Sequence, residues 1–243
     1  RKQLVGEKVR IANRIQVDLQ SVCPGFMDIV ERIDKLFVLR FLSSRNNLQQ
    51  LSKMREESIL KIHGIGKSRL KILKKWQDQA VWGPEIDWVG PMIIEDAKRL
   101  LELIRQIDLI GEQLKSIVSL SAIGRAISSV PGFGSICASE IAGEIGTIER
   151  FASERSLAMY LGMAPLDNSS GLQQGTKAPL QINKRARAAM MVAISHHKRT
   201  VEKSTIYYDK KRAEGKRHNQ ALRSLGRHLV RTLCERWGSG MHN

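Results

Sequence analysis

IIEDAKRLLELIRQIDLIGEQLKSIV, residues 93–118, is the stretch that decides the fold. Ile93, Ala97, Leu100, Ile104, Ile107, Gly111, Leu114 and Val118 follow one another in alternating steps of four and three, with Glu95, Lys98, Arg105 and Glu112 outside the row. Such steps bring the apolar side chains onto one stripe of a helix, the spacing of a coiled coil. The stripe can pack on residues 1–22 of the same chain or on a second copy, and dimerisation is expected. Gly111 within it permits close approach or loosens the coil locally.

Working outward, Leu4, Ile11, Ile15, Leu19 and Val22 recur at near-helical spacing, which predicts an amphipathic helix ending before Pro24-Gly25. Further helices are expected over 27–42 and 46–60, separated by Ser43-Ser44, and a break runs from Trp82-Gly83-Pro84 to Gly90-Pro91. Beyond the heptads the pattern predicts short helices over 119–160, a loop over 161–183 and helices again over 184–237. Strand signals are almost absent. The expected fold is mainly all-α: a helical coiled-coil region over 1–118, and a C-terminal domain over 119–243 with basic helices and a long loop.

Of 243 residues, 40 are Lys or Arg and 24 are Asp or Glu, a formal net charge of +16. Residues 177–236 hold 16 of the basic and 4 of the acidic side chains. The same block contains Ile182, Met190, Val192, Leu222, Leu225, Leu229 and Leu233, so it reads as a folded basic surface whose partner is a polyanion, rather than a disordered tail. A mean hydropathy of −0.26 and the absence of an 18-residue apolar run predict a soluble protein with no membrane span. Cys23, Cys137 and Cys234 lie too far apart for a zinc site or a disulfide framework, which predicts thiols in a reducing cytosol. The chain opens on Arg1 with no charged-then-apolar leader, and is expected to be a piece of a longer one.

Ile62-His63-Gly64-Ile65-Gly66-Lys67 and Val130-Pro131-Gly132-Phe133-Gly134-Ser135 share one outline, apolar-x-Gly-apolar-Gly before a helix. Both resemble helix-hairpin-helix elements, the first lying near 59–75. In these elements the glycines, here Gly64 with Gly66 and Gly132 with Gly134, permit a tight turn and leave the amides of the following helix N-terminus free to meet a phosphate oxygen. Lys67, Arg69 and Lys71 surround the first turn, whereas Glu140 and Glu144 follow the second. The first is therefore the better phosphate binder, and the second is either a binder or a purely structural turn. His196-His197 point to different faces of a helix and do not share a metal. Trp76, Trp82, Trp88 and Trp237 are expected in the core or in helix packing rather than as base-stacking platforms.

Ser129 to Gly134, Ala138 to Gly146, Phe151-Ala152, Leu157, Tyr160 to Pro165, Ser169-Ser170-Gly171 and Ile182 to Arg185 stand, in order and spacing, as in one known domain. Over about 120–237 the chain resembles the C-terminal transposase domain of the Piv-type insertion-sequence recombinases, the DEDD transposases also called bridge-RNA-guided recombinases. The region over 1–118 resembles the family's helical middle. Lys184-Arg185-Ala186-Arg187 departs from the family's Lys-Arg-Gly-Asn, and Met163 stands where Leu is common.

The resemblance implies a mobile-element recombinase that cuts and rejoins DNA. It uses a serine of this domain and an acidic RNase H-like domain that holds magnesium. It also implies double-stranded donor and target DNA, a structured guide RNA, a homo-oligomer (dimer or tetramer), and a bacterial or archaeal cytoplasmic protein associated with the nucleoid. The acidic domain precedes the coiled coil in the family, so magnesium is expected upstream of these residues, with no metal or other cofactor held here. The family's serine corresponds to Ser170, with Ser169 as the alternative. Lys184, Arg185 and Arg187 would clamp the phosphate, and Arg223, Arg227 and Arg231 would bind nucleic acid. Tyr207-Tyr208 brings a tyrosine recombinase to mind, but the spaced Arg and His companions are not recognisable. The alternative from another class is a non-catalytic helix-hairpin-helix module that binds DNA or RNA.

Overall fold

Ile11, Ile15, Leu19 and Val22 are buried along one side of α1 (Lys2–Val22), as their spacing requires. The helix stops where Cys23 leaves helical geometry and Pro24 opens α2 (Pro24–Met27), because proline suits the first position of a helix but not its interior. The computed structural model describes residues 1–164, 166–167, 176–177 and 182–239, with the backbone alone described at 166, 167, 176, 177, 238 and 239.

The helices expected over 27–42 and 46–60 form only in part. α3 (Leu36–Leu42) and α4 (Glu56–Leu60) are short, and a 3-10 turn covers Leu48–Lys53. Arg32 reaches Asp34 at 2.7 Å, a pairing two residues apart that a helix cannot make. Asn47 turns its side chain onto the Gln49 amide at 2.8 Å, and Met54 is extended, so the chain between them cannot run on as one α-helix. α5 (Lys67–Gln79) follows the first glycine turn.

The heptad stretch lies within α6 (Ile86–Leu120), one helix of 35 residues. The break expected from Trp82-Gly83-Pro84 is present but does not run to Gly90-Pro91, since the helix begins at Ile86 and contains Pro91. Pro91 sits five residues in, and lacking an N–H it removes only the hydrogen bond to the Asp87 carbonyl. Ile93, Ala97, Leu100 and Leu103 join Ile11, Ile15 and Leu19 in one core with Phe26, Phe41 and Trp76. Arg14 pairs with Asp96, and Glu7 lies 2.8 Å from Arg99, so α1 covers the first half of the stripe within the chain. Leu103 is fully buried and Ile104 only partly, because a straight helix drifts off a strict seven-residue repeat by about 20° per heptad. Farther along, Gly111 and Leu114 are half-buried, and Leu109, Ile117 and Leu120 are exposed.

Two compact units meet within this helix, Arg1–Ile110 and Gly111–Asn243. Trp76 and Trp82 stack edge to face in the first, and Trp237 is buried in the second. Trp88 corrects the expectation of four tryptophans in the core or in helix packing. It is 82% exposed, on the first turn of α6 opposite buried Ile86 and Gly90.

The second unit consists of α7 (Ala122–Ser128), α8 (Ser135–Ile145), α9 (Glu154–Tyr160), α10 (Lys184–Thr200), α11 (Glu202–Ala213) and α12 (His218–Ser239). α8 and α12 both pack on α10 around Ile141, Met190, Ile194 and Leu225. Start signals are local: the Ser121 hydroxyl accepts from the Gly124 amide, Ser153 and Ser156 cap each other, and the Asn183 side chain accepts from the Arg185 and Ala186 amides at 3.0 Å. Extended structure among the described residues is one antiparallel ladder, β1 (Leu166–Asp167) with β2 (Thr176–Lys177). The fold is thus all-α in class. No helix among the described residues is long and apolar enough to cross a membrane.

Candidate nucleic-acid interface

Both glycine turns have the same backbone. Between α4 and α5, Ile62 donates to the Ile59 carbonyl at 3.0 Å, Ile65 to Ile62 at 3.1 Å and Leu70 to Gly66 at 2.9 Å. Between α7 and α8, Val130 donates to Ile127 at 3.2 Å, Phe133 to Val130 at 3.0 Å and Ala138 to Gly134 at 2.9 Å. Gly64 (φ +96°) and Gly132 (φ +86°) occupy the left-handed region that a side chain disfavours. Gly66 and Gly134 are extended, exposed N-caps, and no side chain caps α5 or α8. Orphan amides at a helix start, with the positive end of the helix dipole behind them, attract anions.

The surroundings of the two turns differ. At the first, Arg69 folds back to donate to the Gly64 carbonyl and stacks over the Phe37 ring at 4.2 Å. Arg40 donates to the His63 carbonyl at 3.0 Å, while Lys67 and Lys71 remain exposed. Arg69 therefore braces the turn, and Lys67 and Lys71 supply charge beside it. The second turn is pressed against α10, where His197 Nδ1 lies 2.7 Å from the Pro131 carbonyl. Gly134 lines a cavity of about 430 Å³ with Lys115, Arg125 and Ser135. Sequence reasoning placed only Glu140 and Glu144 near this turn. Lys115 and Arg125 reach it from α6 and α7, with no local signal to announce them.

The segment from 161 to 182 is pinned at its two ends. The Asn183 amide donates to the Tyr160 carbonyl at 2.9 Å, and its side-chain nitrogen donates to the Tyr160 hydroxyl at 2.8 Å and to Glu144 at 2.6 Å. The β1–β2 ladder then pairs residues on either side of 168–175. Ser169 and Ser170 lie outside the described residues.

The predicted cations fall into different environments. Lys184 is exposed at the start of α10. Arg185 is engaged by Glu144 at 3.0 Å and Glu140 at 3.7 Å. Arg187 lays its aliphatic stem against Gly162, where a Cβ would come within 2.8 Å of the Arg187 Cδ. Arg223 is half-buried and Arg227 exposed, one turn apart on α12, and the guanidinium of Arg187 repels that of Arg223. Arg231 is tied to Glu235 at 3.1 Å. The structure therefore groups Arg187, Arg223 and Arg227, and gives Arg185 and Arg231 carboxylate partners. Gly64, Gly66, Lys67 and Arg69 belong to the first unit, and the remaining predicted contacts belong to the second. Among the described residues no group of three His, Cys, Asp or Glu side chains comes together to hold a metal ion.

Residues 124–209 match the model of the Transposase IS116/IS110/IS902 family. Over 240 residues the chain is 25% identical to the insertion element IS116 uncharacterized 44.8 kDa protein of Streptomyces clavuligerus, covering 96% of this chain and 60% of that protein. The insertion element IS110 uncharacterized 43.6 kDa protein of Streptomyces coelicolor is likewise 25% identical over 240 residues, with 59% of its length covered. Identity reaches 39% over 109 residues with the insertion element IS900 uncharacterized 42 kDa protein of Mycobacterium paratuberculosis, covering 44% of this chain and 27% of that protein. The chain spans about three fifths of the length of its IS116 and IS110 relatives.

Proposed function

We propose that this chain, whose residues 124–209 match the Transposase IS116/IS110/IS902 family, is part of a recombinase that cuts and rejoins insertion-sequence DNA. Ser170 is the proposed nucleophile. Its hydroxyl oxygen bonds to phosphorus, the strand's own oxygen leaves, and the serine proton passes to a base. One phosphoester bond forms as another breaks, so a hydroxyl of a second strand can reverse the step and join the DNA without ATP. Negative charge grows on the phosphoryl oxygens during transfer, and guanidinium groups stabilise it best when they are held in place beforehand.

The observation that supports this reading is Arg187, which packs on Gly162 eight residues before Ser170 and lies near enough to Arg223 for the two guanidinium groups to repel. Pinning of Tyr160 to Asn183 gives that segment two fixed ends. The glycine turns, read as helix-hairpin-helix elements, hold DNA backbone through amides and so position it without reading its sequence. A structured guide RNA, duplex donor and target DNA, and a dimeric or tetrameric assembly belong to the same proposal. Magnesium would be held by carboxylates outside these 243 residues.

The test is a covalent-adduct assay on the longer protein that contains this chain. Ser170→Ala is expected to abolish the protein–DNA adduct and the joining of strands while DNA binding persists, and Ser169→Ala to leave both. An adduct mapped to Ser169 transfers the role to that residue. If the unsubstituted protein forms no adduct with cleavable DNA yet binds it, the chain is a binding module instead. The 243-residue chain by itself is expected to bind nucleic acid and form no adduct.

A further inference from the structure

α11 and α12 form a helical hairpin whose connection turns at Gly215 (φ +82°). Beside it lies a cavity of about 450 Å³ lined by Tyr207, Lys211, Lys216, Arg223, Arg227 and His228, with Met163 from the base of the serine-bearing segment. Four cations thus surround one space. The carboxylate that faces them, Glu214, is 2.8 Å from Lys211 and 3.8 Å from Lys216. Arg223 and Arg227 have no carboxylate partner among the described residues. Burial, and then the neighbouring charge of Arg187, push the Arg223 guanidinium below its ordinary pKa. A half-buried guanidinium without a counter-charge costs free energy, and a phosphate beside it turns that cost into attraction.

The cavity's other wall is aromatic. Tyr207 and His228 meet edge to face with centroids 4.8 Å apart, and the tyrosine hydroxyl lies 2.9 Å from His228 Nε2. This contact fixes the ring, and a fixed tyrosine offers a face on which a sugar or base can stack. The volume falls in the range of about 300–1,000 Å³ typical of small-molecule sites, well above what a bare phosphate fills.

We propose that this cavity holds one unpaired nucleotide of a nucleic-acid strand, its phosphate on Arg223 and Arg227 and its base or sugar against Tyr207. A base paired in a duplex is walled off by its partner strand, so the occupant is a single-stranded or extruded nucleotide. The inference rests on the proposed function only in requiring that the chain bind nucleic acid. It does not depend on Ser170.

The experiment is photocrosslinking of the full chain to single-stranded oligonucleotides carrying 5-iodouracil, in DNA and RNA forms, with peptide mapping and a parallel measurement of total binding. The expected crosslink falls on Tyr207. Arg223→Gln with Arg227→Gln should reduce it about tenfold or more, since both charge-assisted hydrogen bonds to the phosphate are lost. Lys216→Gln, whose ammonium already lies 3.8 Å from Glu214, should reduce it less. Arg223→Lys should keep most of it and serves as the folding control, checked by circular dichroism. Crosslinks confined to other residues, or a Tyr207 crosslink unchanged in the double variant, overturn the site. Failure of the chain to bind any oligonucleotide overturns it together with the nucleic-acid reading. An adduct assay that fails at Ser170 leaves the crosslink expectation as it stands.

Discussion

At the scale of single residues, the two glycines of one turn have opposite requirements. Gly132 is in the left-handed region, and a Cβ there would overlap the backbone of His197. The backbone term costs about 1–2 kcal/mol and overpacking about 1–3 kcal/mol more, so Gly132→Ala should lower the denaturation midpoint sharply. Gly134 faces open space, and Gly134→Ala should cost no more than about 1 kcal/mol, the loss of a good N-cap. Equal effects of the two in urea titration would contradict the close approach of α10.

Two carboxylates of α1 and its neighbours respond to acid in opposite ways. Asp34 is held at about 2, below its ordinary 3.8, chiefly by the hydrogen bond from Arg32, with Lys8 adding to it at 2.9 Å. A lowered folded pKa stabilises fully above pH 3.8 and is lost as pH falls through about 2. Asp34→Asn should therefore cost about 1–2 kcal/mol near neutrality, after solvent screening, and converge with the unsubstituted protein in strong acid. Asp18 is raised, first by burial and then by Asp96, and one of its oxygens is buried without a hydrogen-bond partner. Its ionisation opposes folding: the contribution is intact below the ordinary value and lost as pH rises through the folded one. Asp18→Asn is expected to raise the melting temperature at neutral pH.

At the scale of elements, α6 shows how far a period can be trusted. Leu100 lies fully inside the first core, so Leu100→Ala should cost about 2–5 kcal/mol, read from a denaturant titration. Charges at Ile104 and Ile107 would break the fold of the chain itself, since Ile107 is 7% exposed, and so would not report on partners. Ile117 and Leu120, at 61% and 80% exposure, are the positions that do. Ile117→Lys with Leu120→Lys should leave helix content intact and reduce the particle mass by light scattering. An unchanged mass counts against a coiled coil at this end of the helix. The helix itself was legible because the apolar period is local, whereas continuity through Gly90-Pro91 was not. One lost hydrogen bond near the start is small beside the burial of Ile86, Ile93 and Ile94 on either side of it.

For the whole molecule, a net charge of +16 makes affinity for nucleic acid a function of salt. Log affinity should fall linearly with log salt, by about 0.7–0.9 for each phosphate neutralised. Arg223→Gln with Arg227→Gln should flatten that line. Arg231→Gln should change it little, because Glu235 already neutralises that guanidinium. Equal flattening by both would mean that pairing within α12 does not persist when nucleic acid binds.

The sequence by itself determined the helical class, the amphipathic α1, the heptad helix, both glycine turns and the basic character of residues 177–236. Each follows from interactions between neighbours: the period of apolar side chains, the φ that only glycine takes readily, and the sign of clustered charge. Only the tertiary structure decided which of those charges are available. Arg185 meets Glu144 and Glu140 on α8, Lys115 and Arg125 gather at Gly134 from other helices, and Tyr207 finds His228 across 21 residues. Nothing local marks Arg185 as paired. For Arg185 availability depends on packing between helices distant in sequence, since its carboxylates come from α8, whereas Arg231 meets Glu235 one turn along its own helix.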